Sequence, residues 1–213
     1  KEDINKNKIH VVGNTVIDAL FCLSEETMQN ANKFYEEQGI KIDNNTVLVT
    51  AHRRENHGER IDRIIEAIKT LAEKHTSHNF IIPVHPNPNV KEKIYKHLDN
   101  IKNIHLLAPL DYPNLVYLMK NAKLILTDSG GIQEEAPSFG CPTLVMRYET
   151  ERQEGIEAGV STLVGAEYDK IVKLSDEILS KDKAETRLSV QNPYGDGKSS
   201  QKIEKLISEF FGL

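Results

Sequence analysis

Short apolar runs alternate along the chain with longer segments of helical period. Thr46–Thr50 reads Thr-Val-Leu-Val-Thr. A run of that length with no polar alternation predicts a strand buried on both faces. Residues 80–84, ended by Pro86, and 104–107, 123–127 and 142–146 have the same character. Residues 9–12 and 159–164 are shorter strand candidates. Between these runs, Ile61, Ile64, Ile65, Ile68 and Leu71 fall one helical turn apart and form one apolar face. Helices are further predicted over 18–38, 90–98, 112–121, 133–139, 169–179 and 199–211. Strands alternating with helices imply βαβ units and a parallel sheet. The expected fold class is therefore α/β, a doubly wound Rossmann-like sheet of about six or seven strands. No internal repeat interrupts this pattern.

Composition changes the picture little. The chain has 213 residues, 38% hydrophobic and 28% charged, enough apolar material for one large core. The net charge of -5 argues against a nucleic-acid or anionic-membrane surface as its main partner. Two cysteines, Cys22 and Cys141, make no disulfide framework, which fits a cytoplasmic location. No apolar stretch reaches membrane-spanning length. The charged start, without an apolar leader or an initiator Met, suggests a chain that begins partway into a longer protein.

In parallel sheets, ligands sit beyond the carboxyl ends of the strands. After Thr127 comes Asp128-Ser129-Gly130-Gly131, opening a helix. Two glycines admit an anion close to the backbone, the first-turn N–H groups point at it, and Ser129 adds a hydroxyl. Glu135, one turn further on, suits a vicinal diol such as a ribose. The same residues also read as an ordinary capped turn, with Ser129 as the cap. After Thr50 come His52, Arg53 and Arg54, a basic group at the same edge. Its arginines would neutralise a diphosphate or pair with Glu55 or Glu59. His85, stiffened by Pro86 and Pro88, and Arg152 complete the set. The alternating charges of 147–154 read as a solvated face.

Other chemistries find no support. The eight histidines show no zinc spacing. There is no GxGxxG turn, Walker lysine or GxSxG elbow. Cys141 and the stripe Leu118, Met119, Ala122 read as core.

Six segments together resemble the non-hydrolysing UDP-N-acetylglucosamine 2-epimerases. They are residues 13–19 (GNTVIDA), 50–56 (TAHRREN), 84–88 (VHxNP, position 86 aside), 127–137 (TDSGGIQEEAP), 150–152 (TER) and 192–197 (NPYGDG). They span nearly the whole chain in the family's order. The resemblance implies a GT-B architecture, of which residues 1–213 would be the C-terminal, UDP-binding Rossmann-like domain, with the N-terminal domain preceding Lys1. It implies interconversion of UDP-GlcNAc and UDP-ManNAc by elimination and re-addition of UDP, without a nicotinamide or metal cofactor, in a homodimeric whole protein serving polysaccharide biosynthesis. The carboxylates that move the C2 proton would lie in the preceding domain, leaving this chain alone inactive.

By the same resemblance, His52 is the catalytic residue of this half. Ser129, Gly130 and Gly131 hold the diphosphate, Glu135 the ribose, and Arg152 the nucleotide. Leu110 and Leu115 line the uracil loop, where some members carry Gln and an aromatic residue. Arg53 and His85 match an allosteric UDP-GlcNAc site. Tyr148, Glu149, Gln153 and Pro86 depart from common family residues. That leaves open a 2-epimerase for another UDP-2-acetamido sugar, alongside a hydrolysing epimerase, a GT-B glycosyltransferase and a stand-alone UDP-binding module. The helix over 199–211 is expected to pack toward the first domain. Phe210, Phe211 and Leu213 would then be exposed here and favour self-association.

Overall fold

The structure, a computed structural model, describes residues 5–212. Its framework is one sheet of six parallel strands: β1 (Thr46–Thr50), β2 (Asn79–Pro83), β3 (Ile104–Leu107), β4 (Leu124–Thr127), β5 (Thr143–Val145) and β6 (Ser161–Leu163). Their order is β3-β2-β1-β4-β5-β6. The chain works outward from β1 on one side, then returns to lay β4 on the other. Thr50 pairs with Thr127 at the point where the order reverses. Beyond that junction the flanking loops diverge and leave a crevice.

Successive residues of a strand face opposite sides of the sheet, so β1 feeds two cores. Val47 and Val49 face α3 (Glu59–Lys74), α4 (Pro88–Leu98) and α8 (Tyr168–Leu179). Leu48 faces α1 (Thr15–Phe21), α2 (Glu25–Glu36), α5 (Tyr112–Asn121) and α6 (Gly130–Glu135). On α3, Ile61, Ile64, Ile65, Ile68 and Leu71 are all buried, as their spacing predicts. Each fully buried side chain of this size stabilises by about 1.5–3 kcal/mol before the entropy of ordering it is counted. Cys141, Leu118, Met119 and Ala122 are core residues.

The sheet confirms the α/β expectation but not every boundary. Residues 9–12 form no strand. Val11 is 94% exposed and meets no strand partner. The helix predicted over 18–38 is two helices, because the Ser24 hydroxyl accepts from the Thr27 N–H and starts α2 afresh. The segment 133–139 is the end of α6 followed by a 3-10 turn, Ala136–Phe139. Two short helices, α7 (Gln153–Glu157) and α9 (Lys183–Thr186), carry too little apolar periodicity to stand out in the sequence.

The last helix, α10 (Ser199–Phe211), begins where the first segments of the chain return to it. Asn14 N–H donates to the Tyr194 carbonyl at 2.7 Å, and the Asp18 carboxylate accepts from the Ser199 and Ser200 N–H groups. Gly13 has φ near 93°, and a Cβ there would sit 2.7 Å from Ser199 Oγ. Phe210 and Phe211 are exposed, as expected, while Leu213 lies outside the described residues.

Candidate functional site

A cleft of ≈ 330 Å³ opens at the carboxyl ends of β1, β2 and β4. His52, His85, Leu110, Leu115, Ser129, Gly131 and Glu135 all line it. Seven residues singled out from sequence thus converge from four separate segments. Gly130, Arg53 and Arg152 lie outside the lining and support it from behind.

The floor is β4 running into α6. Thr127 Oγ1 lies 2.6 Å from Thr50 Oγ1 and accepts the Ser129 N–H at 2.9 Å, which fixes the turn. Ser129 occupies the N-cap position, but its side chain makes no capping hydrogen bond. The capped-turn reading therefore does not account for that hydroxyl, which faces the cleft beside Gly131. The first N–H groups of α6 have no partner within the helix and point the same way. Together they can receive a phosphate-like anion.

Gly130 is buried for a different reason. A Cβ there would sit 2.9 Å from the Arg152 guanidinium carbon, so the arginine lies flat against the helix start. Arg152 Nε donates to Glu134 Oε1 at 3.0 Å, and its Nη1 to Glu151. Arg152 thus brings positive charge alongside the α6 N-terminus without entering the cleft.

Glu135 projects into the cleft from the first turns of α6 and is 6% exposed. Burial pushes its carboxyl up to about 7. The Tyr112 hydroxyl, donating to Oε1 at 3.2 Å, works the other way, and neighbouring Glu134 adds to the rise. A carboxyl held near neutrality is an acceptor that hydroxyl donors would readily ionise.

His52 stands on the opposite wall, its ring stacked on His85 at 5.5 Å. Desolvation lowers its pKa, the Asp128 carboxylate opposes that effect, and His85 and Arg53 reinforce it. The sequence marked His52 but gave Asp128 no role. Asp128 is fully buried and accepts from the main-chain N–H groups of His52 and Arg53 and from Asn56 Nδ2. The available signal was its place, one residue past a buried strand, where an isolated carboxylate needs donors.

Arg147 corrects an expectation. It is no part of a solvated face but is buried, donating from Nε to Glu55 at 2.6 Å and from Nη1 to Glu151 at 2.9 Å. Glu55 thereby takes Arg147 rather than Arg53 or Arg54 as its salt-bridge partner. Among the described residues no group of three His, Cys, Asp or Glu side chains is placed to hold a metal ion. Nor is any described helix long and apolar enough to cross a membrane.

Comparison with known proteins bears on this geometry. The family profile described as UDP-N-acetylglucosamine 2-epimerase matches residues 1–208. A Campylobacter jejuni protein of that name is 44% identical over 216 residues, covering 97% of this chain and 56% of the relative. A crystal structure of the Neisseria meningitidis UDP-GlcNAc 2-epimerase bound to UDP-GlcNAc superposes with a TM-score of 0.89 at 40% identity, covering 98% of this chain and 57% of that one. The Methanocaldococcus jannaschii enzyme, solved with UDP-GlcNAc and UDP, gives 0.81 at 34% identity, covering 98% and 57%. The chain spans little more than half the length of the relatives it matches.

Proposed function

The chain belongs to the UDP-N-acetylglucosamine 2-epimerase family, and on that premise we propose that it is the nucleotide-binding half of an isomerase interconverting UDP-GlcNAc and UDP-ManNAc. The observation that carries this reading is the convergence of Ser129, Gly131, Glu135 and His52 on one cleft at the strand reversal. That cleft offers anion donors, a diol acceptor and a titratable ring within one nucleotide's reach.

In this reading the diphosphate rests on the Ser129 hydroxyl and the N–H groups at the start of α6, with Arg152 behind them adding positive charge. Glu135 accepts from the ribose hydroxyls. Uracil lies along the segment carrying Leu110 and Leu115, held by apolar contact and backbone groups. The C2 proton is removed by a carboxylate of the N-terminal domain that precedes this chain in the whole protein. The C1–O bond then breaks, its electron pair leaves with UDP, and a 2-acetamidoglucal remains. The anionic diphosphate opposes the desolvation that lowers the His52 pKa, and the ring, as an imidazolium, donates to the departing diphosphate and offsets its developing charge. Re-addition of UDP after protonation of the other C2 face gives the epimer. His85, on the cleft wall beside His52, and Arg53, behind that wall, mark the side where a second UDP-GlcNAc would bind. The whole protein is proposed to be a cytoplasmic homodimer. The unbridged thiols of Cys22 and Cys141 agree with a reducing location.

Calorimetric titration with UDP tests the assignment. Wild-type chain is expected to bind saturably, and Ser129→Ala and Glu135→Ala each to lose that binding. Unchanged affinity in both variants would place the nucleotide elsewhere and overturn the reading.

A further inference from the structure

Asp128 makes a set of contacts unusual for a carboxylate that touches no cleft. Its Oδ2 accepts three donors: the His52 N–H at 2.9 Å, the Arg53 N–H at 2.9 Å and Asn56 Nδ2 at 3.0 Å. Its Oδ1 lies 3.2 Å from His52 Nδ1, an ion-pair contact rather than an aligned hydrogen bond, and takes only a second, longer contact from the His52 N–H, at 3.1 Å. Both the backbone and the ring of His52 are therefore referred to one buried group. Asn56 is itself anchored, since its Nδ2 also donates to the Met146 carbonyl at 3.0 Å. The carboxylate cannot rotate without abandoning three donors. Its Oδ1 is thus held facing the imidazole.

We propose that Asp128 is the positioning residue of His52: it holds the proton on Nδ1 and turns Nε2 toward the cleft. The inference rests on the reading of His52 as the group that meets the leaving diphosphate, but the geometry can be tested without any nucleotide. An anionic oxygen 3.2 Å from Nδ1 favours the proton there over one on the more distant Nε2 of the neutral ring. When the ring gains its second proton, that proton sits on Nε2, the nitrogen available to a diphosphate oxygen. The charged groups facing His52 are Asp128, stacked His85 and Arg53. Of these, Asp128 alone favours the imidazolium. Its position therefore fixes both the direction of the N–H and the readiness of the ring to carry charge.

The Asn replacement makes a sharp test. Three donors meet at Oδ2, so the amide of Asp128→Asn must place its oxygen there and its NH₂ at the Oδ1 position. The NH₂ then faces Nδ1 and can only donate to it. The ring must move its proton to Nε2, which leaves Nδ1 as the buried acceptor. Asp-to-Asn substitution beside a histidine has this consequence in the Ser-His-Asp enzymes.

The experiment is long-range ¹⁵N–¹H correlation on the histidine rings of the nucleotide-free chain, with His52→Gln to assign the signal. In the wild type, neutral His52 is expected to show a protonated Nδ1 and a bare Nε2. In Asp128→Asn the pattern is expected to invert, and the His52 midpoint to fall by about one pH unit or more. Melting curves would show whether the variant is folded. Should it not fold, the wild-type spectrum alone decides: Nε2–H on the neutral ring overturns the proposal. An unchanged tautomer in a folded Asp128→Asn overturns it as well. Failure of the chain to bind UDP would instead refute the reading of the cleft and leave these spectra as they are.

Discussion

Replacing Gly131 by Ala sets stability and binding in opposition. Gly131 lies in the first turn of α6 with ordinary helical backbone, and the nearest atom to an added Cβ is Ser129 Oγ at 4.0 Å. The fold has room for the methyl. A Gly-to-Ala change at an unstrained helical site stabilises by about 0.5–1 kcal/mol. For a chain of this size that raises the melting temperature by about 1–4 °C. The room, however, is the cleft itself, on the side that faces the proposed diphosphate. A methyl beside Ser129 Oγ holds the anion away from the helix start and removes at least one charge-assisted hydrogen bond, about 1.5–3 kcal/mol. That corresponds to roughly a 10- to 150-fold loss of UDP affinity. Gly130→Ala is the control. Its Cβ would press on the Arg152 guanidinium at 2.9–3.2 Å, so Arg152 must shift and its contact with Glu134 must loosen. Here the helix gain and the strain nearly cancel, and no rise in melting temperature is expected. Differential scanning calorimetry and UDP titration on the two variants give the four numbers. A Gly131→Ala chain that melts higher but binds UDP as well as wild type would refute the placement of the diphosphate.

Three further outcomes are expected. Burial holds the Glu135 carboxyl near 7, so an ionised acceptor becomes available to a ribose only as pH rises through that value. Uridine, with no phosphate to titrate, should bind the wild type about tenfold more tightly at pH 8 than at pH 6, and Glu135→Gln should flatten the profile. Stability runs the opposite way. Because the folded state binds this proton more tightly than an ordinary carboxyl of 4.5, the Glu135 contribution is full below 4.5 and is lost as pH rises toward 7. A slope in stability that survives unchanged in Glu135→Gln would show another group at work. Separately, Phe210 and Phe211 are 82% and 68% exposed at the end of α10. Sedimentation is expected to show self-association at high concentration that Phe210→Ser with Phe211→Ser abolishes. A monomeric wild type would count against it.

The sheet was legible in the chain because its strands are buried on both faces. Every residue of β1 and β4 is buried, and such strands appear as unbroken apolar runs with little else to compete. Residues 9–12 show the weakness of that signal: Ile9 and Val11 are apolar yet exposed, because no neighbouring strand lies beside them. An apolar run records a preference, while a strand also needs a partner. The split between α1 and α2 was hidden for a related reason, as Cys22-Leu23-Ser24 continues the apolar rhythm and one serine hydroxyl makes the break. In the site, the strand-end rule located His52, Ser129 and Glu135, which are local to their loops. It did not give Asp128 or Arg147 a role. Their partners lie far away in sequence: Arg147 meets Glu55 across 92 residues, and Asp128 meets His52 across 76.

The return of residues 13–18 to residues 192–200 has a mechanical consequence. Asn14 Nδ2 donates to Glu134 Oε2, and Asn192 Nδ2 donates to the Glu134 carbonyl, so both ends of the chain are buttoned to α6. Tyr194 adds a second fastening, donating from its hydroxyl to the Arg152 carbonyl and accepting the Gly155 N–H. All six strands fall between these two anchor points in the chain. A pull applied at the two ends would therefore load this clasp before any strand could be peeled from the sheet. A swing of α10 against the opening segment would reach the α6 end of the cleft through one glutamate, without deforming the sheet between.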